Sequence, residues 1–169
     1  MIKTITVNWL NEIDACGDAV EAFKNQKETN PIKVVQGAMK IDRFDWANWL
    51  IVRLMNRKQN LQYAIFAAES VIDIYEKKYP DDNQPRNAIE AAKKVLGRDS
   101  KKNRIDAAAA AYAAACAVAD AAAAADVACA AAAHAACAAC AAYAAAAYAY
   151  ARKKLQKKII NNGIKILSK

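Results

Sequence analysis

The residues best equipped for chemistry lie late in the chain: Cys116, Cys129, His134, Cys137 and Cys140. Cys137-Ala-Ala-Cys140 has the two-residue spacing of many zinc-binding pairs, and His134 stands one helical turn before Cys137. Zinc knuckles, however, present such a pair from a turn rather than from a run of strong helix formers, and a second pair is missing. A thiolate activated by His134 would need a carboxylate to orient the imidazole, and none has a defined position. Cys in an Ala-rich helix packs as a small apolar residue, and His134 reads as a satisfied interior or boundary histidine. Gly17, Gly37, Gly97 and Gly163 are isolated, so no glycine-rich phosphate loop exists. The chain reads as non-enzymatic, with no catalytic residue, metal or cofactor expected.

Charge is the second chemical resource. The net charge is +8 over 169 residues, but residues 1–99 contribute only 15 basic against 14 acidic side chains. The excess comes from Lys101, Lys102 and Arg104 and from seven basic residues between Arg152 and Lys169. Arg152-Lys153-Lys154-Leu155-Gln156-Lys157-Lys158 could dock on phosphate with a steep salt dependence, which makes a nucleic-acid-binding or nucleotide-sequestering module the alternative reading. A solvated helix face, favoured by the macrodipole at a helix C-terminus, is the simpler reading, since no base-reading motif or interleaved aromatic accompanies the charge. The candidate partner-binding residues are Asp42, Arg43, Arg57 and Lys58, which border the most apolar segment, together with Arg152, Lys153, Lys154, Lys157 and Lys158.

The elements that position these residues follow from periodicity and capping. Thr6 caps a turn running to Ile13, and Cys16-Gly17-Asp18 separates it from Ala19 to Lys24, where Val20 and Phe23 share a face. Asn30-Pro31 starts a helix reaching about Lys40. Asp42 to Met55 is richest in large apolar residues, and Trp46, Trp49, Leu50 and Arg53 recur at helical spacing, with Leu54 and Met55 extending the same buried side. Leu61, Ile65, Ala68, Val71 or Ile72, Tyr75 and Tyr79 predict one long amphipathic helix ending before Pro80. Pro85 opens the next helix, with Ala88, Ile89, Ala92, Val95 and Leu96 inward and Gly97 as its C-terminal cap; Ser100 caps the one after. Leu155, Ile159 and Ile160 share a face, Asn161-Asn162-Gly163 predicts a helix stop, and Ile164 to Leu167 a short apolar tail. Strand-like alternation is confined to Thr4–Val7 and that tail.

Between them runs Ala107 to Ala151, in which 32 of 45 residues are Ala. Ala loses no rotamer entropy on entering a helix, so the whole stretch should be helical. One rod would be about 68 Å long, which demands a reversal, placed near Asp120 to Asp126. Asp120, Asp126 and His134 argue against a membrane span, and the absence of Thr after Thr29 removes an ice-binding face. The expectation is an all-α, multi-helix bundle with tightly packed antiparallel Ala-rich helices. Residues 1–100 supply the large apolar core, and residues 101–169 an Ala-rich hairpin and basic C-terminal tail packed with it as one domain. Tight Ala surfaces left over inside one chain could pair two copies into a homo-oligomer. Five Cys without a secretory leader fit reduced thiols in the cytoplasm.

Asp45-Trp46-Ala47-Asn48-Trp49-Leu50, Tyr63-Ala64, Ala67-Ala68-Glu69, Glu76-Lys77-Lys78-Tyr79-Pro80 and Pro85-Arg86 with Ala88-Ile89-Glu90-Ala91-Ala92 precede the Ala tract. Together with that tract, and with Asp14-Ala15-Cys16-Gly17-Asp18 before them, they resemble the alanine-rich "putative immunity protein" family of bacteria and their phages. The resemblance covers most of the chain through structural motifs and carries no catalytic residues. It implies a small protein that binds and neutralises another protein, such as a toxin; in a phage the analogous role is countering a host defence system.

Overall fold

The computed structural model describes residues 4–118 and 149–169. The reversal expected near Asp120 to Asp126, the side chain of Cys116, and Cys129, His134, Cys137 and Cys140 lie outside the described residues. Nine α-helices and no strand are present among the described residues, so the protein is an all-α bundle.

Two short helices open the chain, α1 (Val7–Glu12) and α2 (Gly17–Lys24). The Thr6 hydroxyl accepts from the Trp9 N–H at 3.1 Å, the expected cap. Ile5 is fully buried and its N–H donates to the Thr29 carbonyl, which anchors the lead-in as an extended segment rather than a strand. Helix α3 (Pro31–Lys40) begins where Asn30-Pro31 predicts, with the Asn30 side chain accepting from the Ile32 and Lys33 N–H groups.

Helices α1 and α3 end alike. Asp14 and Asp42 adopt φ of 56° and 61°, the left-handed conformation usually given to Gly. At each corner the following N–H reaches back to a carbonyl in the last turn, Ala15 to Leu10 at 2.9 Å and Arg43 to Ala38 at 2.9 Å. A second bond runs from Asp14 to Asn11 and from Asp42 to Met39. These are two Schellman corners built on Asp, which tolerates the left-handed region better than bulkier residues.

Helix α4 (Phe44–Leu54) buries Phe44, Ala47, Leu50 and Ile51. The expected burial of the Trp46–Trp49–Arg53 stripe is corrected: both indoles are half-buried and Arg53 is exposed. The helix turns Phe44, Ala47, Leu50 and Ile51 inward instead, side chains without a polar atom, whereas a buried indole would need a partner for its N–H. Helix α5 (Arg57–Glu69) starts on a reciprocal capping box between Asn56 and Gln59.

The single long helix expected from Leu61 to Tyr79 is broken at Ser70–Val71, where α5 gives way to α6 (Ile72–Lys78). Ser70 Oγ donates to the Phe66 carbonyl at 2.8 Å, competing with the backbone ladder. The break lets consecutive Val71 and Ile72 both be buried, whereas a continuous helix would turn them about 100° apart. Helix α7 (Gln84–Gly97) buries Ala88, Ile89, Ala91, Ala92 and Val95, and α8 (Lys101–Val118) returns against it. Ser100 caps α8 through the Asn103 N–H. Ala91, Val95 and Ala107 form the small-residue contact between the two helices, where short side chains let the axes approach closely.

The last helix, α9 (Ala149–Leu167), corrects two expectations: Asn161-Asn162-Gly163 does not stop it, and Ile164 to Leu167 forms its final turn. The reason is packing. A Cβ on Gly163 would lie 2.6 Å from Ile51 Cδ1 and 2.7 Å from Tyr63 Cε2, so Gly serves close approach here rather than a left-handed cap. Gln59 Nε2 donates to the Ile166 carbonyl at 3.0 Å, and Lys158 Nζ lies 5.7 Å from the Phe66 ring centre, so α9 runs antiparallel to α5. Its contacts from Lys153 to Asp42 and from Gly163 to Ile51 make it parallel to α4. Ile160 and Leu167 thereby join the main core of Ile5, Leu10, Val20, Phe23, Val35, Phe44, Leu50, Ile51 and Tyr63. Each fully buried large side chain there contributes about 1.5–3 kcal/mol. A second cluster, Ile65, Ala68, Ile72, Ile89 and Ala92, joins α5 through α7.

Candidate partner-binding surface

The two Asp corners converge on one groove of about 350 Å³. Helix α1 and its corner contribute Leu10, Asp14, Ala15 and Cys16; α2 contributes Ala19 and Phe23; α3 contributes Val34 and Ala38. Arg43, Asp45, Trp46, Trp49 and Leu50 complete it from the α4 side. The Schellman geometry places these residues, because Leu10, Ala15, Ala38 and Arg43 are the residues whose backbone bonds close the corners.

Two cations cover the two indoles. The Arg43 guanidinium carbon lies 3.4 Å from the Trp46 ring centre, and that of Arg53 lies 3.7 Å from Trp49. Arg43 also grips Asp45 bidentately, Nε to Oδ1 at 3.0 Å and Nη2 to Oδ2 at 2.7 Å. That hydrogen bonding holds the Asp45 carboxyl below the usual carboxylate range and pushes Arg43 up. Besides the ring, Arg53 donates one hydrogen bond among the described residues, to the Trp49 carbonyl at 3.4 Å. The result is an apolar floor flanked by two indoles, with Arg43 lining the groove and Arg53 stacked on Trp49 beside it.

The candidate residues divide between two regions. Asp42, Arg43 and Lys153 come together at the start of α4, where Lys153 Nζ meets Asp42 Oδ2 at 2.8 Å. Lys154, Lys157 and Lys158 continue along exposed α9, and the Arg152 side chain lies outside the described residues. Arg57 and Lys58 sit beyond the other end of α4, where Arg57 pairs with Asp99 at 3.3 Å. Sequence reasoning missed the groove's far wall, Asp14 to Phe23, and read the Trp residues as interior. The available signal was Arg43/Trp46 and Trp49/Arg53, whose three- and four-residue separations stack a cation on each ring.

No helix among the described residues is long and apolar enough to cross a membrane. No curated protein and no solved structure matches the chain. The family model described as Imm-5 like putative immunity protein matches residues 51–168, from the last turn of α4 through α9; every residue lining the groove precedes it. With that match spanning most of the sequence, the chain belongs to the Imm-5 like putative immunity protein family.

Proposed function

We propose that this protein acts by binding and neutralising a partner protein, without catalysis, and that it holds the partner through the Trp46–Trp49 groove. Family membership supports an immunity-type role. The observation that carries the choice of surface is the pair of half-buried indoles, each under a guanidinium, around an apolar groove. Trp and Arg are enriched among the few residues that dominate the energetics of protein interfaces, in well-packed and desolvated positions. Arg43 lines this groove, Asp42 adjoins it, and Arg57 and Lys58 lie beyond it. Helix α4 alone separates the two ends by about 16 Å at 1.5 Å per residue.

Capture on the immobilised full chain tests this. A protein retained by the wild type and by Lys58→Ala, and released by Trp46→Ala with Trp49→Ala, is expected. Retention unchanged by the double Trp replacement would overturn the assignment.

A further inference from the structure

Helix α9 carries a second surface of different chemistry. Its exposed positions among the described residues are Lys153, Lys154, Lys157, Lys158, Asn161 and Lys165, so every one but Asn161 is a lysine. At 100° per residue they fall within about 140° of the helix circumference and extend about 18 Å along its axis. The remaining side is occupied by buried Ile160, Gly163 and Leu167. From Arg152 to the end of the chain there is no acidic residue. Only Lys153 has an ion-pair partner among the described residues, Asp42; Lys158 lies near the Phe66 ring.

Three polyanionic partners could use such a face, and the structure separates them. A membrane surface needs an exposed apolar stripe to sink into the acyl boundary, and the apolar side of α9 is consumed in the core. A protein partner needs an apolar or aromatic centre, and Lys is depleted from such centres; none of the exposed positions is apolar. A sugar-phosphate backbone needs only regularly spaced cations, and it gains affinity by releasing counterions. Lys153 to Lys157 and Lys154 to Lys158 each advance about 6 Å along the helix. We infer that the exposed face of α9 binds the phosphodiester backbone of nucleic acid without reading its sequence. This site is independent of the Trp groove.

The test is fluorescence anisotropy of the full chain with a labelled mixed-sequence duplex DNA of about 20 base pairs and a single-stranded RNA of the same length. With about four free lysines engaged, the log–log salt slope on the duplex should be about −3.6, roughly a hundredfold loss between about 50 and about 200 mM salt. Replacing Lys154, Lys157, Lys158 and Lys165 by Gln should remove the salt-dependent binding, while replacing the four by Arg should keep it. Trp46→Ala should leave duplex binding unchanged, which separates this site from the groove. A salt-independent signal, binding unaltered by the four Gln replacements, or no binding to either probe at low salt would overturn the inference. So would tighter binding to poly-glutamate or to phosphatidylserine vesicles than to both nucleic acids.

Discussion

Gly163 shows how one residue sets the distance between helices. Replacing it with Ala would gain up to about 1 kcal/mol of helix propensity. The new methyl would strike Ile51 Cδ1 and Tyr63 Cε2, and Ile51 and Tyr63 are buried too tightly to yield freely. Overpacking of this kind costs about 1–3 kcal/mol, so Gly163→Ala should be net destabilising in denaturant titration. Ile51→Val deletes the struck Cδ1 atom and should recover part of the loss, giving a non-additive cycle; strictly additive losses would contradict the close approach. Tyr63 offers a second residue-scale test. Its hydroxyl donates to Asn48 Oδ1 at 2.6 Å, and burial pushes its pKa well above the ordinary tyrosine range. Tyr75 is pushed up to about 12 by burial and by its bond to Asp82. Because both folded values are raised, their contribution is fully present below about pH 10, where unfolded tyrosines ionise, and is lost as pH rises through the folded values. Melting temperature should therefore fall above about pH 10, and Tyr63→Phe should flatten that limb. An identical alkaline limb in the variant would contradict this account of Tyr63.

At the scale of elements, the Asp corners shape the groove, and each places a non-glycine residue in the left-handed region. Asp14→Gly removes that strain while leaving the two backbone bonds intact, so it should raise stability by about 0.5–1 kcal/mol. Chemical denaturation would measure this, and a loss of stability would show that the Asp14 side chain supports the corner. These corners were illegible in the sequence because Asp announces a left-handed cap less clearly than Gly. The starts of helices were legible: Thr6, Asn30-Pro31 and Ser100 cap where expected, since a capping side chain acts on N–H groups within three residues. Helix breaks were less legible. Ser70–Val71 ends α5 because tertiary burial of Val71 and Ile72 outweighs helical continuity, and Asn161-Asn162-Gly163 stays helical because α4 and α5 need a residue without a side chain there. Both decisions depend on partners distant in sequence, which periodicity alone cannot supply. The half-burial of Trp46 and Trp49 belongs to the same class, as it depends on α1 and α2 standing opposite α4.

For the whole molecule, the described fold separates two chemistries. The groove before and within α4 offers two indoles and the Arg43 guanidinium around an apolar floor, suited to a protein partner. The exposed side of α9 offers five lysines and one Asn, suited to a polyanion, and accounts for much of the +8 charge. Their common support is the seating of α9 between α4 and α5, secured by Gly163, the Gln59–Ile166 bond and the Lys153–Asp42 pair. Salt should therefore act differently on the two, weakening contacts of α9 far more than those of the groove. The most direct test of the proposed function is calorimetric titration of the captured partner into wild type and Trp46→Ala. An interface anchored on this indole predicts a loss of about 2 kcal/mol or more, roughly thirtyfold in Kd. Equal affinity for the two proteins would contradict it.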